Sequence, residues 1–194
     1  MSMSAPRPGR KYTYGDYLKW PDEERWEIID GVPYEMSPAP STEHQRVSTQ
    51  LLGQLIPFAA NKPCNIFHAP FDVRLPWGNE KDEEIDTVVQ PDICVICDPA
   101  KIDARGCKGA PDLVIEILSH ATAKKDLSEK YNLYEKCGVR EYWVVFPKEK
   151  VLDVYHLNDN GIYDKTGTYF DSDIMECELF PGLAIKLEDV FAGI

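Results

Sequence analysis

The sequence predicts an α/β (α+β) domain, in which a mixed central β-sheet is flanked by helices and further β-strands follow at the C-terminus. Two nearly continuous apolar segments, VVQPDICVIC (88–97) and PDLVIEIL (111–118), have the character of buried central strands. Two segments with helical spacing, 41–60 and 122–137, supply the flanking layers. The length of 194 residues and the 43% hydrophobic content suit one sizeable core.

The N-terminal part predicts a short helix, a hairpin and a longer helix. Residues 1–11 resemble a disordered tail, and TYGDYLKWPDEE (13–24) predicts a short helix that Thr13 caps. RWEIIDGVPYEMSP (25–38) predicts a hairpin, because Asp30-Gly31 is a preferred pair for a type I′ turn. The 41–60 helix begins at a Ser-Thr cap, and we expect Pro57 to kink or end it.

The remaining elements alternate between strands and one helix. CNIFHAPFDVRLP (64–76) predicts a strand in which Pro70 marks a bulge or an edge, and GNEKDEEIDT (78–87) predicts an exposed, mobile loop. A helix from Thr122 to Cys137 should stop at Gly138. REYWVVFP (140–147) and VLDVYHL (151–157) are strand patterns, and 161–194 predicts mostly β-structure ending in a short helical turn.

Composition restricts the possible classes of function. The formal net charge of −12 disfavours indiscriminate binding of nucleic acid, although residues 99–150 are more basic than the rest. No apolar run approaches the roughly 18 residues that span a bilayer, and the N-terminus lacks the apolar core of a secretory signal. Six scattered cysteines predict reduced thiols, and hence a cytoplasmic protein without a membrane association.

Two carboxylates in the central strands need a positively charged or hydrogen-bonding partner, since burying an isolated charge is costly in free energy. Asp92 and Glu116 lie on successive apolar strands, and neighbouring strands are about 4.8 Å apart. Asp112 shares a face with Glu116 but lies roughly 13 Å along the strand, too far for a common ion. We therefore expect Asp92 and Glu116 to share a divalent metal, while Asp112 caps a turn at the strand entry.

A lysine on the predicted 122–137 helix adds a cation to this pair. On a wheel of about 100° per residue, Lys130 falls on the apolar face between Tyr134 and Cys137. The same wheel assigns Leu127 and Tyr131 to the apolar face. It assigns Lys125, Glu129, Asn132 and Lys136 to the solvent side. The alternative is an i,i+4 pair with Asp126 in which the lysine stem extends outward.

Two carboxylates and one ammonium group are the components of metal-assisted phosphodiester cleavage. The acids would hold Mg²⁺, which polarises the scissile phosphate and lowers the pKa of a bound water. The ammonium group would orient that water or stabilise charge on phosphorus. A structural ion network built from the same three residues is the alternative at this point.

At these residues the chain resembles the PD-(D/E)XK nuclease superfamily and, within it, the Uma-two family of restriction-endonuclease-like proteins. The resemblance runs from about Tyr12 to Val190 and rests on the order and spacing of several segments. They are WEIIDG (26–31), STEHQRV (41–47), QPDICVI (90–96), GAPDLVIEILS (109–119), KKDLSEKYNLYEKCGVREYWVVFP (124–147) and FPGLAIKLEDVF (180–191).

The resemblance implies a restriction-endonuclease-like core in one domain, 12–194. Asp92 is similar to the aspartate of the PD motif and Glu116 to its (D/E) residue. The sequence departs from the motif at the lysine, because Leu118 occupies that position and Lys130 on the following helix is the matching residue. The implied activity is a divalent-metal-dependent endonuclease, with Mg²⁺ or Mn²⁺ as cofactor, that hydrolyses DNA by in-line attack of a metal-activated water.

Three further residues have supporting roles in this interpretation. Glu27 resembles a glutamate that the superfamily often supplies from its first segment, and it would reach the metal through water. His44 matches the histidine of the family's S-x-x-H stretch and would contact phosphate or water, while Asp126 would hold Lys130. The alternatives are an exposed hairpin acid for Glu27 and local helix contacts for His44.

Other patterns carry less weight. Cys94 and Cys97 have zinc-ligand spacing, but residues three apart on a strand point to opposite faces. A catalytically silent nuclease-fold module that binds nucleic acid or a protein partner is the alternative function, favoured by the acidic surface. A nuclease that cuts both strands pairs two sites, so we expect a homodimer acting on DNA.

Overall fold

The computed structural model describes residues 9–21, 24–36, 39–60, 62–119 and 125–194, and its architecture confirms the predicted fold class. The described strands form two six-stranded sheets and one hairpin, with helices beside them. The strands are β1 (Trp26–Ile29), β2 (Val32–Glu35), β3 (Asn65–His68), β4 (Val73–Arg74), β5 (Val88–Val89), β6 (Ile93–Ile96), β7 (Ile102–Asp103), β8 (Gly106–Lys108), β9 (Leu113–Ile117), β10 (Glu141–Phe146), β11 (Val151–Leu157), β12 (Tyr163–Phe170), β13 (Ile174–Glu176) and β14 (Ala184–Lys186).

The central sheet has the order β12-β11-β10-β9-β6-β3, so the two most apolar strands, β6 and β9, lie inside it as predicted. β9 and β10 are parallel, and the other pairs are antiparallel. Leu113, Ile115 and Ile117 of β9 pack on one face with helix α2 (Thr42–Ala59) and the C-terminal hairpin. The opposite face packs against the second sheet and the helix that follows β9.

The second sheet, β2-β1-β5-β4-β8-β7, was not foreseen, because two predicted strands are each divided between the sheets. The predicted 64–76 strand is β3 in the central sheet and β4 in the second, with a cis Ala69-Pro70 bond between them. The predicted 88–97 strand is β5 in the second sheet and β6 in the central sheet. Pro91 cannot donate to a strand ladder, and Gln90-Pro91-Asp92 forms the crossover.

The predicted N-terminal elements are confirmed. Asp30 and Gly31 both have positive φ, 49° and 76°, in the turn that joins β1 to β2. Helix α1 (Tyr14–Tyr17) follows Thr13, whose N–H donates to the Asp16 carboxylate. Ser41 caps α2 by accepting from the N–H of His44, and the helix continues through Pro57 to Ala59, so Pro57 does not end it.

The helix after β9 differs from prediction in the first turn that the structure describes. Its predicted start at Thr122 lies outside the described residues. The described part contains a π-helical turn, Asp126–Lys130, that continues into an α-helix, Tyr131–Cys137. We call the two together the 126–137 helix. Gly138, in the left-handed region with φ of 83°, ends it as predicted.

The acidic 78–87 segment is not wholly an exposed loop. It contains a 3₁₀ turn (Asp82–Glu84), and Ile85 is buried. The reason is Arg74, whose fully buried guanidinium binds the carboxylates of Asp82 and Asp103. Lys108 makes a second ion pair with Asp82, at 2.8 Å. Three residues outside the segment, Arg74, Asp103 and Lys108, therefore fix a segment whose composition alone suggests a loop.

We expect Arg74→Met to destabilise the protein by about 2 kcal/mol, because charge-assisted hydrogen bonds contribute roughly 1.5–3 kcal/mol each and both acids can turn to water. Urea denaturation measures this change. Arg105→Met is the matched control, since Arg105 is exposed and its ion pair with Glu83 is long, at 3.8 Å. Equal stability of the two variants would contradict a structural role for the Arg74 cluster.

The prediction that all six cysteines are reduced is wrong for two of them. Cys64 and Cys97 flank paired positions of β3 and β6 and form a disulfide, whereas Cys94, Cys107, Cys137 and Cys177 are free thiols. Strand pairing across 33 residues of sequence brings the two together, which the sequence spacing did not indicate. The cytoplasmic location therefore loses one of its arguments and stays a prediction. No helix within the described ranges is long and apolar enough to cross a membrane.

Candidate functional site

The register between β6 and β9 brings two acidic residues to the same edge of the central sheet. Ile93 pairs with Ile115 and Cys94 with Val114, so the same register, continued by one residue, sets Asp92 opposite Glu116. Glu116 lies between two residues of the α2-side core, and alternation along the strand turns it toward the 126–137 helix. The Asp92 carboxylate reaches the same strand, because its Oδ2 accepts from the N–H of Ile117 at 2.8 Å.

Asp92 is the more open of the two acids. Its side chain is 21% exposed, and its Oδ2 also lies 3.0 Å from Nε2 of His44. His44 occupies the first turn of α2. The side chain of His44 thus contacts the carboxylate of Asp92, whereas the alternative interpretation gave it only local contacts within the helix.

Glu116 is buried and bound by two donors at one oxygen. Its Oε1 accepts from Nζ of Lys130 at 2.8 Å and from the hydroxyl of Tyr134 at 2.7 Å. Tyr134 was missed as a site residue, although a tyrosine one helical turn beyond Lys130 on a buried face needs a partner for its hydroxyl. The helix therefore binds Glu116 through Lys130 and Tyr134, which are four residues apart.

Glu27 comes to the same place from the second sheet. It lies on β1 and is completely buried, so the alternative of an exposed hairpin acid is wrong. Its Oε1 accepts from Lys130 at 2.8 Å and from the N–H of Gln90 at 2.9 Å, and its Oε2 pairs with Lys125. Gln90, two residues before Asp92, thus ties the crossover to Glu27.

Lys130 points inward, as the wheel predicts. Its side chain is 4% exposed, and Asp126 is its third and more distant acid, at 3.7 Å. The alternative in which Lys130 extends outward from a pair with Asp126 is therefore wrong. The helical wheel assigns side chains wrongly in the turn before Lys130, because the backbone there has i→i+5 geometry instead of the i→i+4 geometry that the wheel assumes.

The π-helical turn changes which side chains face the site. In an α-helix, Lys125 and Lys130 would be about 140° apart, but both contact Glu27 here. Leu127, which the wheel assigned to the apolar face, is 44% exposed. Lys125 was therefore misassigned to solvent. Asn132 and Lys136, beyond the π turn, are exposed as predicted.

Electrostatics divide the buried acids into two kinds. Burial raises the pKa of Glu116 to about 8, and the neighbouring carboxylates add to this rise while Lys130 opposes it. At Glu27 burial also favours the neutral acid, but Lys130 and Lys125 outweigh it and hold the pKa of Glu27 below its ordinary value. Burial alone would lower the pKa of Lys130, yet the surrounding carboxylates hold it well above the usual value. Glu116 is thus the acid whose negative charge is least compensated.

The donor atoms suit a divalent ion between Asp92 and Glu116. Each uses one oxygen for the contacts above, and no described residue donates a hydrogen bond to Asp92 Oδ1 or Glu116 Oε2. Proteins bind Mg²⁺ through one or two carboxylates and leave its other positions to water and substrate phosphates. Within the described ranges no three His, Cys, Asp or Glu side chains are arranged to hold a metal, so this pair would be its protein ligands.

The charges of the cluster agree with such an ion. The acids are Asp92, Glu116, Glu27 and Asp126, and the ammonium groups are those of Lys125 and Lys130. When all four acids are ionised and His44 is neutral, four negative and two positive charges leave an excess of two negative charges. One Mg²⁺ or Mn²⁺ would balance that excess. Burial raises the pKa of Glu116 to about 8, and a bound cation would favour its ionised form.

Asp112 stays outside the cluster, at the other end of β9. Its Oδ2 accepts from the N–H of Cys97 at 2.8 Å, and its Oδ1 lies 3.4 Å from Arg140. Asp112 therefore closes the end of the strand pair, the structural role that the sequence predicts for it.

The fold defines the class: the chain has a restriction-endonuclease-like nuclease fold. A crystal structure titled "putative nuclease belonging to DUF820", from Anabaena variabilis, superposes with a TM-score of 0.71 over 93% of this chain and 97% of that chain, at 20% sequence identity. The model of the Uma2 family, described as "Putative restriction endonuclease", matches residues 14–188, so the chain belongs to that family. An uncharacterized protein of Synechocystis sp. is 28% identical across 100% of this chain and 97% of its own length.

Proposed function

We propose that the protein is a divalent-metal-dependent endonuclease that hydrolyses phosphodiester bonds of DNA. The observation that carries the proposal is the pairing of Asp92 with Glu116 across β6 and β9, each with one oxygen that no described residue engages. Family membership and the nuclease fold support the activity class. A homodimer with two such sites would cut both strands.

Asp92 and Glu116 would hold Mg²⁺ or Mn²⁺. When bound, the ion would polarise the scissile phosphate and lower the pKa of the attacking water. His44 and the N–H of Ile117 orient the Asp92 carboxylate, and Lys130 with Tyr134 orients Glu116. In the reaction the water oxygen bonds to phosphorus as one phosphorus–oxygen ester bond breaks, and the water's proton is released as the leaving oxygen gains one.

Glu27 and Asp126 support the site through Lys130. Glu27 is bound by both ammonium groups and by Gln90, so it fixes the second sheet against the 126–137 helix. Asp126 adds a third acid near Lys130, and its main-chain carbonyl accepts from the hydroxyl of Tyr142. We propose that these acids keep the lysine charged and in place, and that Lys130 in turn positions Glu116.

One observation favours a catalytically silent module as the second candidate. Both strong contacts of Lys130 are with buried carboxylates, which by themselves make a self-contained ion network. With 33 acidic against 21 basic residues, such a protein would lack the net positive charge that favours binding to DNA phosphates. This candidate predicts no bond cleavage under any metal condition.

Incubation with plasmid and with single-stranded DNA distinguishes the two candidates. We expect nicking with Mg²⁺ or Mn²⁺ and complete loss of nicking with a chelator. Intact DNA after incubation with either metal would contradict the nuclease and favour the silent module.

A further inference from the structure

The two lysines of the cluster differ in what else they can contact. An ammonium group has three donors. Lys130 directs two of its donors at Glu27 and Glu116, both at 2.8 Å, and Asp126 is its nearest further acid. Because its side chain is 4% exposed, Lys130 has neither an accessible third donor nor access to a substrate.

Lys125 has both. Its side chain is 15% exposed, and the described residues supply it with a single carboxylate, Glu27. Its Nζ also lies 5.6 Å from the centre of the Tyr34 ring, and Tyr34 is the partner of Glu27 across the β1–β2 hairpin. Lys125 therefore lies at the solvent-accessible edge of the cluster. Its ammonium group is held by the buried Glu27, and that single carboxylate does not use all three of its donors.

The π-helical turn is what creates this arrangement. An α-helical turn would direct Lys125 away from Glu27, whereas i→i+5 geometry lets residues five apart serve the same acid. Such turns cost helix regularity and occur frequently at functional sites. Here the turn brings a second positive charge to Glu27, the acid that also binds Lys130.

We propose that Lys125 is the ammonium group that contacts the substrate phosphate and that Lys130 is a positioning residue. This inference rests on the proposed function, since the phosphate is that of the DNA to be cut. A preorganised donor aimed at a phosphate oxygen stabilises the charge that develops there during hydrolysis. Lys130 fulfils its role without leaving Glu27 and Glu116.

The salt dependence of DNA binding tests the proposal separately from catalysis. A short fluorescent duplex is titrated in Ca²⁺ at several salt concentrations, with a gel to verify that it stays intact. Each lost phosphate contact lowers the slope of log affinity against log salt by about 0.9. We expect this decrease for Lys125→Met and no decrease for Lys130→Met, compared at a temperature at which circular dichroism shows that variant to be folded. Lys136→Met, whose lysine is exposed on the 126–137 helix, is the matched control and should also show no decrease.

The conservative variant and the rate complete the test. Lys125→Arg keeps the charge and should keep the wild-type slope, which guards against a folding defect in Lys125→Met. In the cleavage assay Lys125→Met should lower kcat by roughly 10²–10³-fold, as expected for one transition-state donor, while Mn²⁺ affinity measured by calorimetry stays within about twofold of wild type.

The outcomes separate the two proposals. An unchanged slope in Lys125→Met, an equal decrease in Lys130→Met, or no salt-dependent binding by the wild type would overturn the role of Lys125. The expected slopes without cleavage by the wild type would leave Lys125 as a phosphate contact and refute the nuclease.

Discussion

Asp92→Asn and Glu116→Gln should each reduce metal-dependent DNA cleavage by roughly 10³-fold or more. Both substitutions keep the size of the side chain but remove a negative ligand from the pair. A bound metal would stabilise the charge of the transition state by several kcal/mol, and each ~1.4 kcal/mol corresponds to about a tenfold change in rate. Initial rates of plasmid nicking at saturating Mg²⁺ measure the loss.

Asp112→Asn is the matched control for both variants. Asp112 also belongs to the β9 region, yet its carboxylate contacts Cys97 and Arg140 at the opposite end of the strand. An asparagine oxygen can still accept from the N–H of Cys97, so cleavage should stay within about twofold of wild type. Cleavage by Asp92→Asn or Glu116→Gln at the rate of Asp112→Asn would refute the site.

Lys130→Met should be the most destabilising single substitution in the cluster, at about 3–5 kcal/mol. Methionine fills much of the same volume, but it leaves Glu116 and Glu27 in a buried environment without their shared cation. Such a loss is a large fraction of the 5–15 kcal/mol by which domains are typically stable. Urea denaturation of the variant and the wild type measures it.

The double variant Lys130→Met/Glu116→Gln identifies the cause. If the cost comes from an unpaired buried charge, removing that charge should recover part of the stability, so the two effects should not add. Lys136→Met, on the exposed side of the same helix, should stay within about 0.5 kcal/mol of wild type. A Lys130→Met protein as stable as Lys136→Met would mean that the ion pairs of Lys130 contribute nothing.

The parts of the site that local patterns encode were predictable from the sequence. The apolar runs around Asp92 and Glu116 indicate buried neighbouring strands, and the short loop-rich connection makes their pairing the simplest topology. The capping serine of α2 and the Asp30-Gly31 turn are similarly local signals. Such signals depend on a few adjacent residues and survive without knowledge of tertiary structure.

The parts that depend on tertiary structure were not predictable. A break at Pro91 is visible, but nothing in 88–97 indicates that its two halves join different sheets. The role of Lys125 required a π-helical turn, and a wheel with fixed α-helical spacing assigns it to solvent. The disulfide of Cys64 and Cys97 likewise follows from the pairing of β3 with β6, not from their spacing.

The second sheet also positions residues of the candidate site. It carries Glu27, and the crossover from that sheet to the central one carries Gln90 and Asp92. The crossover at 90–92 therefore positions both acids: Gln90 binds Glu27, and Asp92 follows two residues later. This explains why two residues 65 positions apart in sequence meet at one site.

A manganese-soaked crystal, examined by anomalous scattering, tests the central claim most directly. We expect one peak per chain, coordinated by Asp92 Oδ1 and Glu116 Oε2 at about 2.1–2.2 Å, with water in the remaining positions. A well-ordered site without a peak at saturating Mn²⁺, or a peak bound elsewhere while Lys130 still spans Glu27 and Glu116, would contradict the account.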